Sequence, residues 1–237
     1  MDAGESDSIA ALGEFFALPA VDPTTWLPIG SLCGSQTVLH QYTVRARAAT
    51  ASAFGVDEAD VPAKAAASSV HLSITARLLS PVIGAAVCAD AIPLLTLDSL
   101  FWQRDSSHRP PLGAARVEWA SETDVHRAAA IIAGSVIGNV LNLLNETMRL
   151  AESLPPQAMW GNIASAANGA VTVLAQSRPD AEPRGRDLIN ALIATEPLRG
   201  TADGVGARFR RRSCCLFYQV PAGGYCGDCV LTGGLTG

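Results

Sequence analysis

Four of the chain's six cysteines fall close together near its end: Cys214-Cys215, ten residues, then Cys226-Gly227-Asp228-Cys229. Four thiolates so placed can supply a tetrahedral set for one zinc ion, or the four ligands of an iron–sulfur cluster. Spacing alone leaves both metals open, although zinc ribbons usually present two Cys-x-x-Cys knuckles and adjacent cysteines make poor knuckle geometry. Neighbouring side chains in a regular strand point to opposite faces, so Cys214 and Cys215 can reach one site only if the backbone kinks there. Gly227 allows a tight bend between Cys226 and Cys229 and leaves backbone N–H groups free to point at sulfur.

Local pattern predicts how the two thiol pairs are brought together. Residues 214–220 are β-prone, Pro221-Ala222-Gly223-Gly224 is turn material, and Tyr225 opens a returning strand. Such a hairpin would fold Cys226 and Cys229 back against Cys214 and Cys215. Arg208, Arg210, Arg211 and Arg212 lead into the first pair. They are positioned either to offset the negative charge of a four-thiolate centre or to form a solvated edge that docks a partner. Cys33 and Cys88 lie in apolar surroundings and read as buried, inert thiols. His40, His71, His108 and His126 show no metal-ligand spacing and read as packed or surface groups.

The rest of the 237 residues must position this segment. A net charge of −5 gives no electrostatic reason to expect nucleic acid. The acidic start lacks the basic-then-apolar signature of a signal peptide, and without export clustered cysteines are expected to bind metal or do redox chemistry. Two apolar stretches, 78–97 and 128–144, are interrupted by prolines and polar residues and read as buried helices, leaving at most peripheral contact with a membrane. Helices are predicted over 8–18, 37–54, 62–89 (kinked or split at Pro81), from Ser121-Glu122-Thr123-Asp124 to about 153, and over 157–176 and 184–194. Residues 94–102 and 115–119 are expected to pair as a β-hairpin across Arg109-Pro110-Pro111-Leu112-Gly113. The predicted fold is mainly α with a small β-hairpin or sheet (α+β). A helical body spans 1–205 and the metal-binding segment 206–237. No P-loop, Gly-x-Gly-x-x-Gly or Gly-x-Ser-x-Gly motif is present, so no site for NAD(P)H or flavin is visible.

The run Arg211-Arg212-Ser213-Cys214-Cys215-Leu216-Phe217-Tyr218, followed by Cys226-Gly227-Asp228-Cys229, resembles the C-terminal signature of FhuF-type ferric siderophore reductases. Chains of that family end in Cys-Cys-x10-Cys-x2-Cys around a [2Fe–2S] cluster. Met159-Trp160-Gly161-Asn162 also resembles a Trp-Gly-Asn segment of such proteins. From residue types alone, Trp160 and Asn162 read as a core tryptophan beside a helix cap rather than as contacts to the cluster segment. The resemblance implies a [2Fe–2S] cluster on Cys214, Cys215, Cys226 and Cys229, with Arg211 and Arg212 as tuning or docking groups. It implies an oxidoreductase that passes one electron to Fe(III) in an imported siderophore, often of hydroxamate type, with a separate protein or reductant as electron donor. The alternative is a non-catalytic siderophore-binding or assembly protein whose iron–sulfur or zinc site only pins the C-terminus.

Overall fold

Seven strands and six helices are numbered here in chain order in the computed structural model, which describes residues 8–234. The first half contains β1 (Leu27–Pro28), α1 (Gly30–Cys33), α2 (Gln36–Phe54) and α3 (Ala63–Cys88). Four strands follow: β2 (Ala91–Leu94), β3 (Leu100–Trp102), β4 (Leu112–Ala114) and β5 (Glu118–Ser121). Then come α4 (Val125–Glu152), α5 (Pro156–Ser177), α6 (Glu182–Ile193), β6 (Ala202–Asp203) and β7 (Arg210–Arg211).

Local chemistry explains where these helices start and stop. The Ser35 hydroxyl accepts from the Val38 amide at the start of α2, and Gly55, at φ 64, closes it in the left-handed conformation. Asp124 caps α4 by accepting from the amides of His126 and Arg127. Ser153, at φ 50, ends α4 ahead of Pro155-Pro156. The middle of α4 widens to a π-helix over Ala133–Leu141, a stretch containing Gly134 and Gly138. Pro81 does not split α3, which runs on as one helix. Nearly every residue of its second half is buried, and that packing outweighs the single backbone hydrogen bond a proline forfeits.

α3 is the spine of the molecule, packed chiefly against α5 and α2, with α6 against α4. Among the described residues, two helices, α3 and α4, are long and apolar enough to cross a membrane. Of their most apolar windows, 78% and 56% respectively are buried inside the protein, so core packing accounts for the apolarity. In place of the single hairpin expected between 94–102 and 115–119 there are two antiparallel pairs, and the inner one uses residues 112–114, which the pattern assigns partly to the turn. β3 meets β4 with Phe101 opposite Gly113, and β2 meets β5 with Ile92 opposite Ala120. The helix expected over 8–18 is reduced to a helical turn and a 3-10 turn at Glu14–Phe16, which still buries Ile9 and Phe16.

The C-terminal segment is tied to this body at two apolar points. Phe209 is buried with Ala164 and Ala202, and Val220 with Ala51, Val61 and Ala65. Its fold-back is made by turns rather than by the two strands the pattern suggested. Leu216 takes a left-handed conformation (φ 71), a 3-10 turn covers Phe217–Gln219, and Ala222 and Gly224 also have positive φ. The kink that adjacent cysteines require is thus made just past the pair, at Leu216.

Core burial and length alone make different demands of two leucines on the apolar helices. Leu78 is fully buried in α3, whereas Leu150 on α4 is 55% exposed. In denaturant unfolding, Leu78→Ala is expected to cost about 2–5 kcal/mol, and Leu150→Ala no more than about 0.5 kcal/mol.

Candidate metal centre and the adjoining cleft

The fold-back brings Cys215 Sγ to 3.5 Å from Cys226 Sγ. Two thiolates about 2.3 Å from one tetrahedral metal would stand roughly 3.8 Å apart, so this pair is at the spacing of a shared ion. Cys214 and Cys229 each accept from a backbone amide two residues on: Leu216 N at 3.3 Å and Leu231 N at 3.4 Å. Such N–H donors stabilise thiolate. Among the described residues, no three His, Cys, Asp or Glu side chains converge as ligands of a metal ion. In the thiol state, the hydrogen bond between Cys215 and Cys226 lowers the pKa of the first and raises that of the second, so one ionises ahead of the other. Cys33 lies apart as a buried thiol, and burial pushes its pKa up to about 12.

Arg211 sits directly behind this pair, with its side chain only 2% exposed. Its Nη2 donates to Cys226 Sγ at 3.0 Å and to Asp228 Oδ1 at 3.1 Å, and its Nε lies 3.0 Å from Asp228 Oδ2. Burial disfavours the charge, but Asp228 and the two cysteines together hold the pKa above its ordinary value. The backbone joins in, since the Arg211 amide donates to the Asp228 carbonyl.

The other end of the guanidinium reaches into the helical body. Nη1 donates to Asn162 Oδ1 at 2.7 Å. Asn162 Nδ2 then donates to the carbonyl and hydroxyl oxygens of Ser68 and approaches His71 Nδ1 at 3.4 Å. His71 Nε2 lies 2.7 Å from Asn145 Oδ1. With Asn162 as donor to Nδ1, the proton of the neutral imidazole belongs on Nε2. Burial lowers the His71 pKa to about 4. A polar chain therefore links the cysteine segment to α5, α3 and α4.

Arg212 does not share this role. It is exposed and pairs with Asp203 across the β6–β7 ladder at 2.6 Å, with no sulfur contact. Arg210 reaches the Gly227 carbonyl at 3.4 Å. Asn162, read from residue types as part of a core segment beside a cap, is the body's contact to Arg211. Gly161 beside it has an equally specific reason: a Cβ there would lie 2.2 Å from Ser213 Oγ, which donates to the Gln157 carbonyl. The Trp-Gly-Asn likeness was the one signal in the sequence that pointed to these two positions. Asp228 carried none beyond its place between two cysteines.

Residues 211–231 match the family model described as the FhuF 2Fe-2S C-terminal domain. Over this stretch the chain is similar to FhuF-type 2Fe-2S domains. The match covers this segment alone, and no curated protein matches the chain. Its cofactor is a [2Fe–2S] cluster, and the donor set present fits one: four thiols, amide donors to two of them, and a buried cation against a third.

The FhuF-type segment also closes one end of a cleft of about 510 Å³ between α3 and α5. The walls are mostly small residues of the two helices, and Cys215, Cys226, Arg211 and Asp228 form the inner end. Phe15, Phe16 and Arg109 line it as well.

Gly161→Ala is expected to lower stability by about 1–3 kcal/mol, and adding Ser213→Ala, which removes the clashing oxygen, recovers most of that loss in denaturant melts. His71 binds its proton more weakly folded than unfolded, so its contribution is complete above pH 6.5 and is lost as pH falls toward about 4. That loss amounts to about 3 kcal/mol, and His71→Gln is expected to flatten the stability profile across this window.

Proposed function

We propose that the protein is a ferric-siderophore reductase, which frees iron from an imported chelate by reducing Fe(III) to Fe(II). In this reading Cys214, Cys215, Cys226 and Cys229 are the cluster ligands. A bound [2Fe–2S] group supplies reversible one-electron chemistry. The observation that carries the proposal is Arg211: a buried guanidinium donates to Cys226 at the inner end of a ligand-sized cleft. A cation held there favours added negative charge at the sulfurs, which is what acceptance of an electron requires.

One electron enters from a separate donor protein or reductant, consistent with the lack of a dinucleotide or flavin motif, and one leaves to the ferric chelate. Siderophores of hydroxamate type hold Fe(III) far more tightly than Fe(II), so the reduced metal is released. Residues 1–205 serve as the siderophore-binding body and 206–237 as the redox segment, working in the cytoplasm with at most peripheral contact at the inner membrane face. Arg211 tunes the centre, and Arg212, exposed at the surface, is available for docking the donor.

The purified protein is expected to be reddish-brown, with two irons and two acid-labile sulfides per chain; a colourless protein carrying one zinc overturns the reading. Cys229→Ser should keep its helical circular dichroism while losing reduction of a ferric trihydroxamate. An unfolded Cys229→Ser chain would instead support a purely structural metal. Arg211→Gln, which also leaves the Asp228 charge uncompensated, is expected to lower the midpoint potential by on the order of 100 mV, as a charge about 4 Å away at an effective dielectric near 20 would.

A further inference from the structure

The FhuF-type match, residues 211–231, covers one end of the cleft, and the α3 and α5 walls lie outside it. Protein interiors are close-packed, and voids much larger than a water molecule are few. Here about 510 Å³ stays open because both facing helices carry small side chains where longer ones would close the gap. On α3 the wall runs from Ser68 to Ser80, about 18 Å of helix. On α5 it includes Ser165 and Gly169, and a Cβ at Gly169 would meet nothing within 4 Å.

The lining mixes hydroxyls with apolar surface and holds little free charge. Arg109 lies near Glu14, at 3.9 Å, and Arg211 is compensated by Asp228. Ser68, Ser69, Ser73 and Ser80 of α3 and Ser165 of α5 place hydroxyl-bearing residues along both walls. Of the four clustered cysteines, only Cys215 and Cys226 reach the lining.

We infer that this cleft is the binding site for the ferric chelate. Apolar walls and serine hydroxyls take its organic periphery, and the Cys215–Cys226 edge faces the iron. The assignment rests on the reductase reading, and it places the chelate against the sulfur pair that Arg211 supports.

A redox-inert probe separates binding from reduction. The cluster-loaded full chain is titrated by calorimetry with the uncharged gallium(III) complex of a cyclic trihydroxamate, alongside Gly169→Leu and Ser73→Leu. These two variants fill the cleft from opposite walls. Gly169→Ala, adding one methyl group, is the control for backbone effects. Each Leu variant is expected to bind at least tenfold more weakly, with the visible spectrum of the cluster and the thermal melt unchanged, while Gly169→Ala stays within about threefold of the parent chain. If the parent binds the gallium complex and both Leu variants bind it equally well, the cleft assignment fails and the reductase reading stands. If the parent neither binds the gallium complex nor reduces the iron one, both fail together.

Discussion

An arginine side chain only 2% exposed needs acceptors for its guanidinium, and Arg211 finds them in two parts of the chain. Asp228 balances its charge, Cys226 takes one N–H, and Asn162 takes another from the body of the protein. Removing any of these would leave a buried charge underpaired. The same ion pair therefore fixes the Cys226–Cys229 turn, holds the segment against α5 and sets the electrostatics behind the sulfurs. The rest of the C-terminal architecture depends on that pairing.

The helical body is built to receive it. Gly161 removes the side chain that would collide with Ser213, and Asn162, one residue on, presents its oxygen to Arg211. Asn162 is itself oriented by Ser68 and His71, so its carbonyl end faces the cation. A charged imidazole in this buried place would lose its solvation with no carboxylate beside it, which explains why the histidine there is neutral. Its depressed pKa is the electrostatic consequence of placing His71 in the core.

Packing decides what remains open. α3 and α5 make the most extensive helix contact in the molecule, yet their small-residue faces leave a cleft ending on two of the four cysteines. The buried cation and the cleft thus meet at the same sulfur pair, so ligand access and charge compensation are properties of one place. Arg212, one residue past the end of β7, does not reach it and pairs with Asp203 at the surface.

Residue pattern alone was enough for the helical body, for an antiparallel pairing within the 94–119 region and for the four-thiol segment, because those features depend on local periodicity and spacing. The requirement for a kink at adjacent cysteines was also legible, since it follows from backbone geometry. Its location at Leu216, and the use of turns in place of strands, were not, because tertiary anchoring through Phe209 and Val220 overrides the β-preference of residues 214–220. Nor could sequence separate Arg211 from Arg212, or give Asn162, His71 and Asp228 their places. Those roles arise only when segments 49 and 91 residues apart are brought within hydrogen-bond distance. The four cysteines state the chemistry in one dimension. Which of them faces a ligand, and which cation stands behind it, is decided by the packing of the C-terminal segment onto α3 and α5.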